Sequence, residues 1–345
     1  MMRTKIFVMT HKKFTPPKDP IYIPLQVGRF GKEDLGYLGD DVGDSISERN
    51  AYYGELTGMY WLWKNYTDVD VIGVCHYRRY FFSKEQKLLG KDEYEVALEH
   101  ADMLVSDPMT SPTSYLEYFG EAHRVEDMLL AGEVIRKLYP QDYWAFDKVM
   151  KENKYYFGNL CVMKKDLYDQ YCEWLFTIFF DMESQMDVSS YDDYHKRVFG
   201  FLSEELLLVF ATARGLKIAE GHIGITAEKA ETVELKLAMG QLVKLGQFTE
   251  ARQLFYEFLK IRPDVQLQLS DIKNEIPDIE RILFILEQEQ LLGIKGMYEY
   301  SHDLVELIGV EKEVKRLLEE GREDEEYMKQ HYISDIARDV IKANI

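Results

Sequence analysis

The sequence has no apolar run that approaches the roughly 20 residues required by a membrane-spanning helix. Its longest apolar clusters, such as Trp174 to Phe180, have the length of an amphipathic helix. The chain begins Met1-Met2-Arg3-Thr4-Lys5 and continues directly into an apolar strand, without the pattern of a secretory signal. We therefore expect a soluble, cytoplasmic protein.

Cysteine is scarce, with three residues in a chain of 345. Cys75, Cys161 and Cys172 have neither paired spacing nor a CxxC pattern, which argues against disulfide frameworks and cysteine-based metal sites. Their apolar surroundings predict buried thiols instead. The sequence also lacks HExxH, a Walker loop and GxGxxG, which disfavours zinc peptidases, P-loop nucleotidases and dinucleotide oxidoreductases.

Positive charge is in short supply, since 42 lysines and arginines oppose 61 aspartates and glutamates, for a formal net charge of −19. A sequence-independent nucleic-acid binder needs basic surface to hold phosphates, so we expect no nucleic-acid partner. Any phosphate-bearing ligand must be held by local cations or by a divalent metal.

Short apolar runs alternate with helical periodicity through residues 1–225, which indicates an α/β sheet with helices on its faces. The apolar strand Val69 to Cys75 suits the centre of such a sheet. The periodicity also predicts helices over Glu48 to Tyr66, Val125 to Tyr139 and Phe201 to Arg214, and a strand over Tyr156 to Met163. These four elements carry or adjoin the polar residues considered below.

Residues 226–345 show no convincing strand and are expected to form an all-α C-terminal region. The segment Leu235 to Asp264 resembles one tetratricopeptide-type helical hairpin in the spacing of its small, aromatic and proline residues. A single copy cannot build a solenoid, which needs about three repeats. The sequence thus predicts two domains, 1–225 and 226–345.

The most informative polar segment is His76-Tyr77-Arg78-Arg79, directly after the central strand. Ligands of open α/β sheets bind at the carboxyl ends of strands, and paired guanidinium groups hold phosphate oxygens well. These residues therefore favour a diphosphate site, with ordinary ion pairs as the alternative. The same rule predicts that the following strand-end segments lie near this one: Thr10-His11, Ser106-Asp107 and Gly221-His222.

Three further polar groups allow both a functional and a structural interpretation. Carboxylates in Gly39 to Asp44 suit a sugar, a metal or the arginines, or belong to a solvated turn. Glu204 in Ser203-Glu204-Glu205, at the predicted start of a helix, suits a general base, or is favoured there by the helix dipole. His123 and Asp127 are spaced i and i+4 on one predicted helix. They are interpreted either as ligands or as hydrogen-bonded structural residues.

Several motifs in fixed order resemble a known family. They are Lys5 to Lys12, Tyr22 to Gly28, Leu38 to Ser47, Glu55 to Asn65, Gly73 to Phe81, Tyr156 to Asn159, Tyr171 to Phe176 and Gly200 to Glu204. Over residues 5 to 224 the sequence resembles a bacterial capsular and exopolysaccharide glycosyltransferase family long catalogued as a domain of unknown function. Its characterised members are galactofuranosyltransferases.

The resemblance implies a GT-A-like nucleotide-sugar fold with a mixed, mostly parallel sheet. It implies transfer of a sugar, galactofuranose, from a UDP-sugar to a glycan or lipid-linked glycan acceptor in surface polysaccharide synthesis. Such an acceptor brings with it peripheral association with the inner face of the membrane, and the helical region suits a protein partner. A non-catalytic scaffold or sugar-nucleotide-binding protein is the alternative, since the usual Asp-x-Asp metal motif is missing after the central strand.

Under this resemblance the expected site residues fall into three groups. Glu204 and His76 are catalytic, and Mn²⁺ or Mg²⁺ remain open as cofactors because paired arginines can neutralise a diphosphate without a metal. Acceptor contacts are expected from His123, Asp127 and Asn159. Donor contacts are expected from Thr10, His11, Asp41, Asp44, Asn50, Tyr77, Arg78, Arg79 and Asp107.

Overall fold

A computed structural model of the protein describes residues 2–266, 270–322 and 324–344. Contacts between residues divide the chain into two compact units, Met1–Thr226 and Ala227–Ile345. The first unit contains a mixed sheet covered by helices, and the second is helical. An α/β region followed by a helical C-terminal region is therefore confirmed.

The strands of the first unit follow the apolar runs of the sequence. They are β1 Thr4–Thr10, β2 Tyr22–Gln26, β3 Leu38–Gly39, β4 Val71–His76, β5 Arg79–Phe82, β6 Met103–Ser106, β7 Met109–Thr110, β8 Lys154–Tyr155, β9 Cys161–Lys164 and β10 Ile218–Ile225.

The main sheet has the strand order β3-β2-β1-β4-β5-β10-β6-β9, with a further pairing between β4 and β9. The pairs β1–β2, β1–β4, β2–β3 and β6–β10 are parallel. The pairs β4–β5, β4–β9, β5–β10 and β6–β9 are antiparallel. The sheet is mixed as predicted, but parallel pairs do not predominate over antiparallel ones.

Both faces of the sheet are buried, as the apolar character of its central strands predicts. Successive side chains of a strand point to opposite faces, so Phe7 and Met9 join one core while Ile6 and Val8 join the other. The first core also contains Trp174 and packs beneath the long helices. The three cysteines are buried as predicted, and burial raises the pKa of each thiol.

The helices of the first unit cover this sheet. They are α1 Asn50–Tyr53, α2 Leu56–Asn65, α3 Lys91–His100, α4 Tyr115–Ala122, α5 Val125–Leu138, α6 Tyr143–Lys151, α7 Lys165–Glu183 and α8 Val198–Arg214. No described helix has the length and apolar character needed to cross a membrane.

Two predicted elements of the first unit are wrong in a way that matters for the site. The helix expected over Glu48 to Tyr66 is broken at Gly54, whose φ of +55° is a left-handed conformation that glycine adopts without strain. The strand expected over Tyr156 to Met163 is confined to β9, because Gly158 and Asn159 also have positive φ. Each break places polar side chains beside the end of β4.

The second unit packs helices around a separate apolar core that includes Met239, Phe255 and Leu286. Its helices are α9 Ala230–Lys244, α10 Phe248–Ile261, α11 Ile276–Leu292, α12 Leu304–Glu319, α13 Glu325–Gln330 and α14 Asp335–Lys342. Helices α9 and α10 form the predicted hairpin, with Gly246 at φ +70° in the turn. Its likeness to a tetratricopeptide repeat stays a prediction.

Candidate active site

The carboxyl end of β4 turns sharply into β5. His76 pairs with Arg79 across the turn Tyr77-Arg78, and the carboxyl end of β1 lies beside it, with Met9 opposite His76. The rings of His11 and Tyr77 meet edge to face with centroids 5.6 Å apart. The segments Thr10-His11 and His76 to Arg79 are therefore neighbours, as predicted.

Glu55 faces this turn from the start of α2. Its Oε1 atom lies 3.7 Å from His76 Nε2, which is too long for a hydrogen bond. His76 Nε2 is buried and has no hydrogen-bond partner among the described residues. Burial, more than the neighbouring arginines, lowers the pKa of His76 to about 4, so the imidazole is neutral at physiological pH. A neutral ring with an unpaired nitrogen can accept or donate a hydrogen bond to a ligand.

Asn159 ties Glu55 to the rest of the site. Asn159 Nδ2 donates to Glu55 Oε1 at 2.8 Å and lies 3.2 Å from the carbonyl oxygen of Gly200 in α8. Asn159 Oδ1 accepts from Ser203 Oγ at 2.9 Å. The backbone of Asn159 has φ +51°, a conformation that asparagine tolerates better than most residues. The loop before β9, the start of α2 and α8 thus converge on one amide.

Arg79 supplies a partly buried cation next to the buried Arg78. Its guanidinium lies over the ring of Phe157, 4.7 Å from the centroid, and its Nε atom has no hydrogen-bond partner among the described residues. Burial, and then the charge of Arg78, lower the pKa of Arg79. A desolvated guanidinium with an unused donor suits an anionic ligand, because guanidinium groups bind phosphate oxygens through paired donors.

Glu204 lies in α8, near both Arg79 and Glu55. Its pKa is raised to about 8, first by burial and then by the charge of Glu55, although Arg79 and the backbone N–H of Gly158 oppose the shift. The structure corrects the predicted position, since α8 begins at Val198 and Glu204 lies in its second turn. The helix dipole acts mainly on the first turn, so it does not account for this carboxylate.

Glu205, the next residue, differs from Glu204 in its surroundings. Its side chain is fully buried, and burial raises its pKa well above the ordinary value. Glu205 Oε2 lies 3.4 Å from the backbone nitrogen of Tyr156, while Oε1 has no partner among the described residues. Glu204 is partly exposed and can meet a ligand, whereas Glu205 is buried.

The side chains of His76, Arg78 and Arg79 are not the ligands that a divalent cation prefers. Hard cations prefer carboxylate and carbonyl oxygens, whereas His76, Arg78 and Arg79 carry a neutral imidazole and two cations. No group of three or more histidine, cysteine, aspartate or glutamate side chains within residues 2–266, 270–322 and 324–344 is arranged to hold a metal.

Residues 5–215 match the family described as Domain of unknown function (DUF4422). The chain belongs to the DUF4422 family. A solved structure of the bifunctional glycosyltransferase WbbM, in its apo form, is similar, with 28% sequence identity and a TM-score of 0.59. The similarity covers 66% of this chain and 46% of the WbbM chain, so the match spans less than half the length of that protein. Among curated proteins, none matches the chain.

The DUF4422 match contains Glu55, which the sequence interpretation did not select. Glu55 stands in the recognised segment Glu55 to Asn65, but a continuous helix over Glu48 to Tyr66 would have made it an ordinary helical carboxylate. The break at Gly54 brings it to the start of α2, beside His76 and Asn159. A glycine directly before a carboxylate in a helical pattern was the available signal.

The acidic loop after β3 is bonded within the protein. Asp40, which is fully buried, accepts hydrogen bonds from the backbone nitrogens of Gly28 and Arg29 and from the hydroxyls of Ser47 and Thr57, at 2.6 to 3.1 Å. This carboxylate fixes the loop and the beginning of α2, and hence the position of Glu55. Asp40 is therefore a structural residue, which the sequence does not distinguish from the other two carboxylates of Gly39 to Asp44.

The other predicted donor residues of this region also have protein partners. Asp41 pairs with Arg29 Nε at 2.6 Å, and Asp44 Oδ1 accepts from the Tyr60 hydroxyl at 2.9 Å. Asn50 Nδ2 donates to the carbonyl of Gly54 at 2.6 Å. Thr10 Oγ1 donates to the carbonyl of Lys12 at 2.6 Å and shapes the loop after β1.

Asp107 and His222 form a pair of their own. His222 Nδ1 and Asp107 Oδ2 are 2.9 Å apart, and both side chains are about half exposed. His222 does not end a strand as predicted, since β10 continues to Ile225, and it lies opposite Phe82, three residue pairs from Arg79. The predicted strand-end neighbours therefore form two groups rather than one.

His123 and Asp127 are not on one helix, contrary to prediction. Extended backbone at His123 separates α4 from α5, because the residue has φ −136° and ψ 171°. The His123 ring stacks on Phe201 of α8 with centroids 4.2 Å apart, and burial lowers its pKa to about 4. Asp127 accepts from the Tyr191 hydroxyl at 2.7 Å. His123 thus packs on Phe201, which precedes Glu204 by three residues in α8.

Proposed function

We propose that this chain is a glycosyltransferase that moves galactofuranose from UDP-galactofuranose to a glycan acceptor of a bacterial surface polysaccharide. The similarity to the glycosyltransferase WbbM, together with the DUF4422 match, supports a transferase. The observation that carries the proposal is the placement of Glu204, with a pKa of about 8, near the partly buried Arg79. A general base works best with a pKa near the operating pH.

In the proposed reaction, an acceptor hydroxyl attacks the anomeric carbon of the donor. The new carbon–oxygen bond forms as the bond to the diphosphate breaks, and Glu204 takes the hydroxyl proton. The two electrons of the broken bond leave with UDP, whose added negative charge is balanced by Arg78 and Arg79. His76, neutral and unpaired at Nε2, hydrogen-bonds the donor at the same edge.

The remaining predicted residues have supporting roles in this proposal. Thr10, His11 and Tyr77 hold the nucleotide at the end of β1, where the loop is fixed by Thr10. We assign Asn159 and His123 to the acceptor side, because both contact α8 close to Glu204, through the carbonyl of Gly200 and the ring of Phe201. Tyr37 supports the nucleotide loop, because its hydroxyl donates to the carbonyl of Phe14 at 2.9 Å.

The direct test is UDP release from UDP-galactofuranose, UDP-galactose and UDP-glucose, each with and without a galactan acceptor. We expect acceptor-dependent release from UDP-galactofuranose and inversion at the anomeric carbon, followed by NMR. Binding without turnover would support the non-catalytic alternative, and release that ignores acceptor would indicate a hydrolase. Parallel reactions with added Mn²⁺, Mg²⁺ or EDTA test whether turnover needs a divalent cation in addition to Arg78 and Arg79.

A further inference from the structure

Glu55 has one carboxylate oxygen that no described part of the chain uses. Its Oε1 atom accepts from Asn159 Nδ2 at 2.8 Å, whereas Oε2 has no hydrogen-bond partner within residues 2–266, 270–322 and 324–344. No lysine or arginine in those ranges forms an ion pair with Glu55, and His76 Nε2 lies 3.7 Å from Oε1. The side chain is 20% exposed. Glu55 therefore presents a partly desolvated carboxylate with an unused acceptor oxygen.

The start of α2 is held in place without that oxygen. Glu55 is the N-cap residue of α2, yet its side chain accepts no backbone hydrogen bond from the helix, which is the usual role of an N-cap carboxylate. Asn50 Nδ2 donates to the carbonyl of Gly54 at 2.6 Å, directly before Glu55. The Thr57 hydroxyl donates to Asp40 at 2.6 Å, two residues after it. A carboxylate that neither caps its helix nor pairs with a cation is available to a ligand.

Glu55 lies near both groups that act on the donor and the acceptor in the proposed transfer. It is close enough to influence the protonation of Arg79 and of Glu204. In that reaction Arg79 faces the leaving diphosphate and Glu204 faces the attacking hydroxyl, so the transferred sugar occupies the space between them. A Cβ built on Gly200 would lie 3.9 Å from Glu55 Oε2, so this position of α8 places no side chain over the oxygen. Glu55 Oε2 therefore borders the transferred sugar.

We propose that Glu55 Oε2 accepts a hydrogen bond from a hydroxyl of the transferred sugar, which makes Glu55 a specificity-determining residue for the donor. This inference rests on the proposed function, because that function places the sugar between Arg79 and Glu204. Hydrogen bonds from hydroxyls to carboxylates are roughly twice as strong as those between neutral groups. A site that bonds a substrate hydroxyl discriminates against the analogue that lacks it, since the acceptor is then left unpaired.

The alternative is a purely electrostatic role, in which Glu55 acts only on the protonation of Glu204. An electrostatic effect on the base is the same for every donor sugar. A hydrogen bond, in contrast, matters only for the donor that carries the bonded hydroxyl. Donors that each lack one hydroxyl therefore distinguish the two roles, and a double-mutant cycle measures the coupling between Glu55 and each hydroxyl.

The cycle compares UDP-galactofuranose with analogues that each lack one sugar hydroxyl, as donors for the wild-type chain and for Glu55→Ala. For one analogue we expect the wild type to lose about 10- to 100-fold in kcat/KM, the usual value of a hydrogen bond to a charged group. Glu55→Ala should be slower with every donor but should show no further loss with that analogue. Glu55→Gln, which keeps the size of the side chain, should show an intermediate loss. Far-ultraviolet circular dichroism checks that both variants are folded.

Glu48→Gln is the matched control, because Glu48 is an exposed carboxylate of the same segment that pairs with Arg49. It should discriminate among the donors like the wild type. Equal discrimination by the wild type and both Glu55 variants for every analogue would overturn the proposal. Isothermal titration with the same donors repeats the cycle for binding, without an acceptor. Coupling in binding without turnover would support the Glu55 contact and contradict the proposed transferase, whereas no binding of any UDP-sugar would contradict both.

Discussion

Asn159 Nδ2 donates to Glu55 Oε1 at 2.8 Å, across 104 positions of the chain. The bond joins the loop before β9 to the start of α2, at the point where β4 ends. Because Glu55 lies close enough to raise the pKa of Glu204, this amide helps to set the charge environment of the proposed base. Asn159 is therefore best described as a positioning residue.

Replacing Asn159 by glycine tests that role without imposing backbone strain, because glycine adopts φ +51° readily. We expect a loss of stability of about 1–3 kcal/mol, since the partners of the amide lose buried hydrogen bonds. Release of Glu55 should also lower the pKa of Glu204 and move the rising limb of kcat/KM to lower pH. Urea denaturation and a pH–rate profile measure the two effects.

The matched variant is Glu55→Gln, which removes the charge and keeps the size of the side chain. It should move the limb in the same direction, since the charge of Glu55 raises the pKa of Glu204. A stability loss in Asn159→Gly with an unchanged pH profile would show that the amide acts on the fold alone.

Glu204→Gln should lower kcat about 10²- to 10⁴-fold, the usual contribution of a general base. Donor affinity should change little, because the glutamine keeps the shape of the side chain and Arg78 and Arg79 remain. Isothermal titration with the UDP-sugar and steady-state kinetics separate binding from turnover.

Glu205→Gln provides the control for that experiment. Glu205 is buried, and burial raises the pKa of its carboxyl well above the ordinary value, which favours the uncharged form that an amide resembles. This variant should keep activity within about tenfold, far less than the loss expected of a general base. Equal losses in both variants would argue that the pair supports the fold rather than the chemistry.

The activity of the wild-type chain should rise with pH through about 8, because Glu204 must lose its proton to act as a base. Stability should change in the opposite sense. The pKa of Glu204 is raised in the folded state from about 4.5, so its contribution to folding is present below that value and is lost as the pH rises through about 8. Thermal denaturation should show a shallower decline over this range in Glu204→Gln.

Much of the architecture follows from local sequence patterns. The apolar run from Val71 to Cys75 predicts a buried strand, and its polar exit predicts the edge where a ligand binds. The neighbourhood of His11 and Tyr77 follows because β1 and β4 are parallel and end together.

The missed features depend on contacts between distant segments. Glu55 gains its place only because Gly54 ends α1, and a single glycine in a helical pattern is compatible with an unbroken helix. Asp40 is one of three carboxylates in a turn, and only its four donors, which come from three segments, distinguish it. Spacing along the chain carries no information about such partners.

Gly158→Ala should weaken donor binding through Arg79. Glycine at this position has φ +90°, and an added Cβ would lie 2.9 Å from Arg79 Nη1. The guanidinium would have to move, and the backbone would be strained in a conformation that alanine rarely adopts. We expect a higher KM for the UDP-sugar with a smaller change in kcat. Gly31→Ala, at φ +69° with nothing within 4 Å of the added Cβ, is the control for backbone strain alone.

Two substitutions of Arg79 distinguish the effect of its positive charge from the effect of its paired hydrogen-bond donors. Arg79 lowers the pKa of Glu204, so Arg79→Gln should move the rising limb of activity to higher pH and reduce kcat/KM about 10²- to 10³-fold. Arg79→Lys keeps the positive charge but loses the paired donors of the guanidinium. It should therefore leave the limb near its wild-type position while the KM for the donor rises. If both variants shift the rising limb of the pH–activity profile equally, the charge of residue 79 does not set the pKa of Glu204. That result would contradict the proposed role of Arg79 beside the base and the diphosphate.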